Sequence, residues 1–465
     1  MNANLFNRSS KSMFITKNGK FNHDLAVKFL QELQPFIREF ASNNSLKAEV
    51  LKSDGTVKPL TFNSLPLDLV FTEEHKNIIS KIAEGFLIAN KLETNISKIN
   101  IYSHLIKLLA DEQFYLNENF NISNCKVFFN NLLVFLKQEI STTKVVLFNV
   151  IGASLNTGEV CTIGSVQFMN PQDFVESHKY VFDQLTESEH SAGWQTHIDR
   201  FKNCDLICKV KIKNRDTTTA RILATEIIKR VYALARMFMP ISNNKSNFFG
   251  SVGEEYLDSI SSFLLSVDLN DENNIKEWEI QHTVNYFSNS KNNLLNIILP
   301  HQETDIPFTR IEAIITKFSN DAKLNEFETR IWTALYWYGE AIYERELNPI
   351  IIKYATCLEA LFNSREGGIS EQISEFTAHV VGAGSTKDER MKIYMHIKKL
   401  YSLRSNAVHG GSTVYRLDDG FLEYTRWICQ SALFLMAYYC GQNYYQESNG
   451  YEKFIKYILK EYRFL

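Results

Sequence analysis

The chain has 465 residues, and its 50 lysines and arginines nearly balance 53 aspartates and glutamates, so the formal net charge is −3. This length exceeds what one hydrophobic core can organise and predicts two or three domains. The small net charge excludes a globally basic nucleic-acid-binding protein, so a nucleic acid would have to bind a local patch. Hydrophobic residues make up 45% and aromatic residues 13% of the chain, which predicts well-filled cores.

The first 305 residues predict mixed α+β structure. Helical spacing of apolar residues covers 25–40, 81–92, 132–139 and 217–239, and Pro240 ends the last of these helices. Apolar runs typical of strands cover 144–151, 160–168, 206–212, 278–284 and 294–299. We therefore predict an α+β region over 1–305, organised either as one region or as two subdomains, 1–140 and 141–305.

The segment from Pro300 to Pro307 is polar and carries two prolines, so we place the domain boundary there. Beyond it the pattern predicts nearly pure helix, at 324–344, 348–362, 370–381 and 388–408 and twice more after Gly420. Asn348 and Pro349 predict an N-cap followed by proline at the first helical position. We expect an all-α bundle over 306–465, in which helix 388–408 packs against the first two helices.

Metal, cofactor and membrane functions find no support in the sequence. The seven cysteines are scattered, which favours a reducing compartment, and Cys204 and Cys208 alternate like strand residues. His190 and His197 lie near acidic residues, but we interpret them as loop residues. Without a CxxC pair or an HExxH motif, we predict no metal site and no cofactor. The chain starts without a signal-peptide pattern, and its late apolar stretch, 431–439, is too short to span a bilayer, so we expect a cytoplasmic protein without membrane contact.

The residues with the clearest chemical potential are Arg404 and His409. Of the eleven histidines in the chain, only His409 has an arginine five positions before it. Histidine can move a proton near neutral pH, and arginine is a permanent planar cation that can donate two hydrogen bonds to phosphate oxygens. This pair suits metal-free chemistry on a phosphodiester.

Arg404 lies on an apolar helical stripe that is made of Ile393, Ile397, Leu400 and Ala407. In a purely structural interpretation, Arg404 forms an ion pair with Glu359, and His409 ends the helix before Gly410-Gly411. In an unbroken helix two residues five apart diverge by roughly 140°. Arg404 and His409 therefore share one site only if the last turn unwinds or a second copy of the chain completes the site.

Other features near this pair have two interpretations each. Lys398 and Lys399, with Arg404 and Arg416, predict a local patch for RNA, but a solvated lysine pair explains the two lysines equally well. The glycine-bearing segments 365–368 and 382–384 lack the lysine and hydroxyl of a P-loop, and we interpret both as helix-to-helix turns.

The segment from about Phe308 to the end resembles an ApeA-like HEPN domain. The matching pieces follow the order and spacing of the family over roughly a third of the chain, and they are Ala334–Gly339, Tyr354–Phe362, Ile397–Arg404 and Arg404–Gly410. HEPN domains are small helical bundles, and many are metal-independent ribonucleases. The resemblance implies that Arg404 and His409 are the catalytic pair and that Asn406 or Ser405 orients the phosphate.

The resemblance further implies a role for the whole chain. The RNA substrate, such as host tRNA, would be cut to leave 2′,3′-cyclic phosphate ends during bacterial antiviral abortive infection. The enzyme would work as a homodimer or a dimer of dimers through its C-terminal domain, and the N-terminal region would respond to a phage-derived trigger. HEPN domains also occur as inactive modules that bind RNA, a nucleotide or a protein, and this alternative remains open.

Overall fold

The structure is a computed structural model, and the residues it describes are 13–44, 49–51, 57–59, 71–109, 114, 117–150, 153–179, 205–238, 262–267, 275–281, 292–344, 346–363, 368–409, 417–418, 420–442 and 449–462. The protein is mostly helical, with a small sheet in its N-terminal half and helices in its C-terminal half. This confirms the predicted order of an α+β region followed by helices. Several residues discussed above lie outside the described ranges, and these are His190, His197, Cys204, Pro240, 365–367, Gly410, Gly411 and Arg416.

The described helices are α1 (His23–Asn44), α2 (Glu73–Asn90), α3 (Lys98–Leu109), α4 (Ile122–Ile140), α5 (Pro171–Ser177), α6 (Thr217–Phe238), α7 (Leu294–Thr304), α8 (Ile306–Ser319), α9 (Glu326–Tyr343), α10 (Leu347–Phe362), α11 (Ile369–Val381), α12 (Lys387–His409), α13 (Phe421–Cys440) and α14 (Gly450–Tyr462). The described strands are β1 (Glu49–Leu51), β2 (Val57–Pro59), β3 (Thr143–Val150), β4 (Ala153–Ser154), β5 (Val160–Ile163), β6 (Val166–Met169), β7 (Leu206–Ile212), β8 (Ser262–Val267), β9 (Ile275–Gln281) and β10 (Asn292–Asn293).

The chain divides into two compact units. The first comprises residues 1–144, 213–222 and 266–277, and the second comprises 145–212, 223–265 and 278–465. The second unit therefore contains the helices α7–α14 as well as most of the strands β3–β9. The boundary near residue 305 stays a prediction.

The first unit has a core rich in phenylalanine, contributed by the helices α1, α2 and α4. The ring of Phe21 lies 4.6 Å from that of Phe129 and 5.3 Å from that of Phe86. Helix α4 begins where the Asn121 side chain accepts hydrogen bonds from the backbone N–H groups of Ser123 and Asn124, which satisfies donors that have no partner inside the helix. Apolar burial thus stabilises this unit.

The second unit contains a six-stranded sheet with the order β5-β6-β7-β3-β8-β9. The pairs β5–β6 and β6–β7 are antiparallel. The predicted single strand 160–168 is wrong, because the chain turns at Gly164, whose φ of +62° suits glycine. The Gly164 N–H donates to Glu312 Oε1 at 2.8 Å, and a Cβ at Gly164 would lie 2.9 Å from Ile315 Cγ2. The hairpin therefore packs tightly on α8.

Helices α8–α14 form a bundle, in which α9 packs along α10, and α12 packs mainly against α11 and α10. The prediction that α12 packs against the first two helices is thus half wrong, since α11 takes the place given to α9. The reason is local, because α10, α11 and α12 follow one another through short connections and pack as consecutive neighbours. The buried residues of α12 are Ile393, Ile397, Leu400 and Tyr401.

Two local predictions around the start of the bundle are wrong. Residues 294–299 are helical and not a strand, because Asn293 caps α7 by accepting from the Asn296 N–H at 3.1 Å. The segment 300–307 is a helical junction, in which Asp305 ends α7 and caps α8. Helix α10 begins after Glu346, so Asn348 and Pro349 already lie in its first turn. Proline is tolerated there because its missing N–H has no partner in the first turn.

Candidate functional site

The helix that carries Arg404 and His409 is continuous from Lys387 to His409. It starts with a reciprocal cap, since Thr386 N–H donates to Glu389 Oε2 at 2.9 Å and Glu389 N–H donates to Thr386 Oγ1 at 3.3 Å. Its described residues run to His409, and Gly410-Gly411, the predicted stop, lie outside the described ranges. The last turn does not unwind, so Arg404 and His409 diverge by roughly 140° within one chain.

Arg404 is only partly satisfied by its surroundings. Its Nη2 lies 3.7 Å from Glu359 Oε1, which confirms the predicted ion pair, and the two side chains are 32% and 22% exposed. This distance exceeds that of a hydrogen bond. The Nε atom is buried and has no hydrogen-bond partner. Arg404 therefore keeps most of its donor capacity, although it lies on a helix face that is otherwise apolar.

Tyr401 lies one turn before Arg404 and packs into the same interface. Its hydroxyl donates to the Ala355 carbonyl of α10 at 3.2 Å, and the side chain is buried. Burial raises the pKa of Tyr401 well above its ordinary value, and the neighbouring Glu359 carboxylate raises it further. Tyr401 therefore remains a neutral hydrogen-bond donor that fixes α12 on α10.

His409 belongs to a solvent-exposed face of α12. Ser405, Asn406 and His409 are all exposed. At 100° per residue, several side chains lie within about 40° of the direction of His409. We name this face the α12 outer stripe, and it consists of Met391, Met395, Lys398, Ser402, Ser405 and His409. Met391 and Met395 are 43% and 59% exposed, so the stripe is partly apolar.

His396, on the opposite side of the same helix, is a structural histidine that no pattern in the sequence singled out. Its Nε2 lies 2.8 Å from Thr425 Oγ1, and its ring lies 4.3 Å from the Phe421 ring. Burial and, to a smaller extent, the charge of Lys399 lower the pKa of His396 to about 4. His396 is therefore neutral near pH 7.

The two lysines predicted to bind substrate have acidic partners. Lys398 Nζ lies 2.7 Å from Glu371 Oε2, and Lys399 forms an ion pair with Asp418. Lys399 also lies 5.3 Å from the centre of the Phe421 ring. These pairs offset the local positive charge, so a contact with RNA through either lysine requires that its surface ion pair opens, which costs little.

Within the described ranges, no three His, Cys, Asp or Glu side chains come close enough together to bind a metal ion. None of the described helices combines the length and the apolar character needed to cross a bilayer.

An open cleft of about 480 Å³ lies away from the motif, between the β5–β6 turn and α8. Its carboxylate, Glu312, accepts from the Gly164 N–H and from Gln302 Nε2 at 2.7 Å. Its lysine, Lys317, forms an ion pair with Glu328 at 2.6 Å. The charged groups of this cleft thus stabilise the fold, and we do not consider it a candidate active site.

Comparison with known proteins identifies no relative of the chain, since no family model, no curated protein and no solved structure matches it. The resemblance to HEPN domains therefore rests on the sequence pieces described above.

Proposed function

We propose that the helical C-terminal part is a HEPN-type, metal-independent endoribonuclease with Arg404 and His409 as its catalytic pair. The observation that carries the proposal is the environment of Arg404. This cation lies on an otherwise buried stripe, is 32% exposed and has one ion pair that is longer than a hydrogen bond. An arginine placed only for stability would use its donors more completely.

The proposed reaction needs no cofactor. The ribose 2′-oxygen attacks the adjacent phosphorus, the bond to the 5′-oxygen breaks, and a 2′,3′-cyclic phosphate and a 5′-hydroxyl form. His409 takes the proton of the 2′-hydroxyl or gives a proton to the leaving 5′-oxygen. Arg404 stabilises the charge that builds on the non-bridging oxygens, while Asn406 or Ser405 orients the phosphate. DNA lacks the 2′-hydroxyl and is not cut.

The same proposal requires two copies of the chain. One regular helix directs Arg404 and His409 about 140° apart, so a single chain does not bring both to one phosphate. We expect a two-fold axis close to the C-terminal end of α12, where both residues lie, to bring Arg404 of one copy near His409 of the other. The exposed methionines of the stripe suit such a contact. Tyr438 is 41% exposed and can contribute, whereas Tyr338 is fully buried and belongs to the core.

The biological role that we propose follows from the HEPN resemblance. The enzyme would be the toxic effector of a bacterial antiviral abortive-infection system and would cut host RNA such as tRNA. Its N-terminal region would bind a phage-derived trigger or restrain the nuclease. A homodimer or a dimer of dimers in the cytoplasm is the form that we expect.

The alternative is an inactive HEPN module that binds RNA, a nucleotide or a protein. Its support is the Arg404–Glu359 ion pair together with the divergence of Arg404 and His409 in one chain. In that case Arg404 binds a phosphate without cleavage, and His409 only ends the helix.

Incubation of the purified protein with total RNA, and in parallel with DNA, tests the two functions. The nuclease degrades RNA and spares DNA, and the inactive module retards RNA on a gel and leaves it intact. Cleavage of both nucleic acids would contradict the proposed reaction, because that reaction depends on the 2′-hydroxyl.

A further inference from the structure

We infer that Glu359 is a positioning residue, which holds the guanidinium of Arg404 in the orientation that meets the phosphate. This inference rests on the proposed function, because it assigns the group that aims one member of the proposed catalytic pair. It concerns the interface between α10 and α12, which the two side chains join.

The two helices meet through matched pairs of residues. Ala355 and Glu359 are four apart on α10, and Tyr401 and Arg404 are three apart on α12, so each pair lies on one helix face. Tyr401 donates to the Ala355 carbonyl at 3.2 Å, and Arg404 Nη2 lies 3.7 Å from Glu359 Oε1. The buried tyrosine thus fixes the register, and the carboxylate acts on the arginine one turn further along.

The three nitrogen atoms of the guanidinium have different surroundings. Nε is buried, and Nη2 faces the carboxylate of Glu359. Nη1 makes no hydrogen bond to the described residues, and we assign it the contact with a phosphate oxygen. Because a guanidinium is planar, fixing two of its nitrogen atoms also fixes the direction of the third. Glu359 is the one described acidic side chain that forms an ion pair with Arg404.

The long distance between Arg404 and Glu359 fits this role. At 3.7 Å the carboxylate attracts Arg404 without a direct hydrogen bond, so the donors remain available. The negative charge on the phosphate oxygens is largest in the transition state, where Arg404 then interacts most strongly. A loss of orientation should therefore lower kcat and change KM little.

Three variants test this role. Glu359→Gln keeps the size and removes the charge, and it should lower kcat by about ten- to a hundredfold while KM stays within about threefold. Glu359→Asp keeps the charge and should recover part of kcat. The matched control is Glu344→Gln, which removes the 2.8 Å ion pair of Glu344 with Lys353 of α10 and should leave kcat within about twofold.

A combination of variants separates positioning from a general structural effect. In an Arg404→Lys protein, which retains a cation but not the planar fork, adding Glu359→Gln should cause less than about twofold further loss. Full additivity of the two effects would show that Glu359 acts independently of Arg404 and would overturn the inference. So would wild-type kcat in Glu359→Gln when Arg404→Ala is inactive.

Solvent exchange of the Arg404 side chain tests the role of Glu359 without an activity assay. In protein labelled with ¹⁵N-arginine, the Nε–H signal of Arg404 is identified by its disappearance in Arg404→Ala. Glu359→Gln should speed its exchange with solvent at least about tenfold, because the side chain becomes mobile. Unchanged exchange would overturn the inference. A wild-type protein that cuts no RNA would contradict the proposed function, while this exchange result would still show whether Glu359 orients Arg404.

Discussion

Two arginines on helix faces of the second unit show how differently the protein uses the same side chain. Arg230 of α6 is 7% exposed, has its Nη1 2.6 Å from Glu226 Oε2, donates through Nε to the Trp332 carbonyl at 3.1 Å and lies 4.0 Å from the Trp332 ring. Arg404 has one ion pair at 3.7 Å and is 32% exposed. The donors of Arg230 are used in the fold, whereas Arg404 makes no hydrogen bond to the described residues.

The two histidines of α12 show the same contrast. His396 is partly buried against Thr425 and Phe421, and burial keeps it neutral. His409 is exposed at the end of the helix. Burial and hydrogen-bond partners thus distinguish side chains that stabilise the fold from side chains that remain able to bind or react. The following predictions test this distinction.

The largest effect should come from the proposed catalytic pair. Arg404→Ala and His409→Ala should each lower RNA cleavage by about a thousandfold or more, because one removes charge stabilisation and the other proton transfer. Single-turnover cleavage measures this, and thermal melts should stay near those of the wild type. Undiminished cleavage in either variant that melts normally would show that the motif is structural.

Mixing the Arg404→Ala and His409→Ala proteins tests whether one active site takes residues from two subunits. If each site takes Arg404 from one copy and His409 from the other, random exchange restores one intact site in half of the dimers, or about a quarter of wild-type activity. Cleavage after co-refolding of the equal mixture measures this. A wild-type protein that is monomeric by light scattering and fully active at the same concentration would contradict the shared site.

Replacement of Arg230 should reduce stability more than replacement of Arg404 does. Arg230→Ala should lower the free energy of unfolding by about 2 kcal/mol, because it removes one buried and two partly buried hydrogen bonds and a stacked cation. Arg404→Ala should lower it by less than about 1 kcal/mol, since its one ion pair is loose and partly exposed. Urea unfolding of both variants checks the difference. Equal losses would break the comparison between the two arginines.

His396 should make stability depend on pH. Its pKa is lowered to about 4 in the folded protein, while an unfolded histidine has a pKa of about 6.5. Below pH 6.5 the unfolded chain takes up a proton that the folded protein does not, so stability is full above about 6.5 and is lost down to about pH 4. After allowance for solvent screening, we expect a loss of about 1 kcal/mol.

Urea unfolding of the wild type and of His396→Gln at pH 7 and pH 5 isolates this contribution from the other histidines. The wild type should lose more stability than the variant between the two pH values. An equal loss in both proteins would show that His396 titrates normally.

The helix that carries the proposed site and the Arg404–Glu359 ion pair could be predicted from the sequence because their signals are local. Helical spacing and Gly410-Gly411 predicted the extent of α12, and the position of Arg404 on the apolar stripe predicted its pairing with Glu359. The distance between Arg404 and Glu359 depends on how α10 and α12 pack. The same is true of the register that places Tyr401 against Ala355 and, one turn further along, Arg404 against Glu359. Neither helix alone shows these features.

The fold was less predictable where capping outweighed periodicity. An apolar run at 294–299 is compatible with a strand or a buried helix, and the Asn293 cap decides for the helix. The glycine at position 164 carried the signal for a turn that interrupts the run 160–168. The preference of α12 for α11 over α9 follows from the short connection between α11 and α12, which the helical spacing within each segment does not show.

The most direct test of the central claim is the chemistry of the RNA ends that the wild-type protein makes in EDTA. Arg404 and His409 supply charge and proton transfer without a divalent ion, so cleavage should be as fast in EDTA as in magnesium. The products should carry 2′,3′-cyclic phosphate and 5′-hydroxyl ends. Loss of cleavage in EDTA that magnesium or manganese restores, or products with 5′-phosphate ends, would contradict the account.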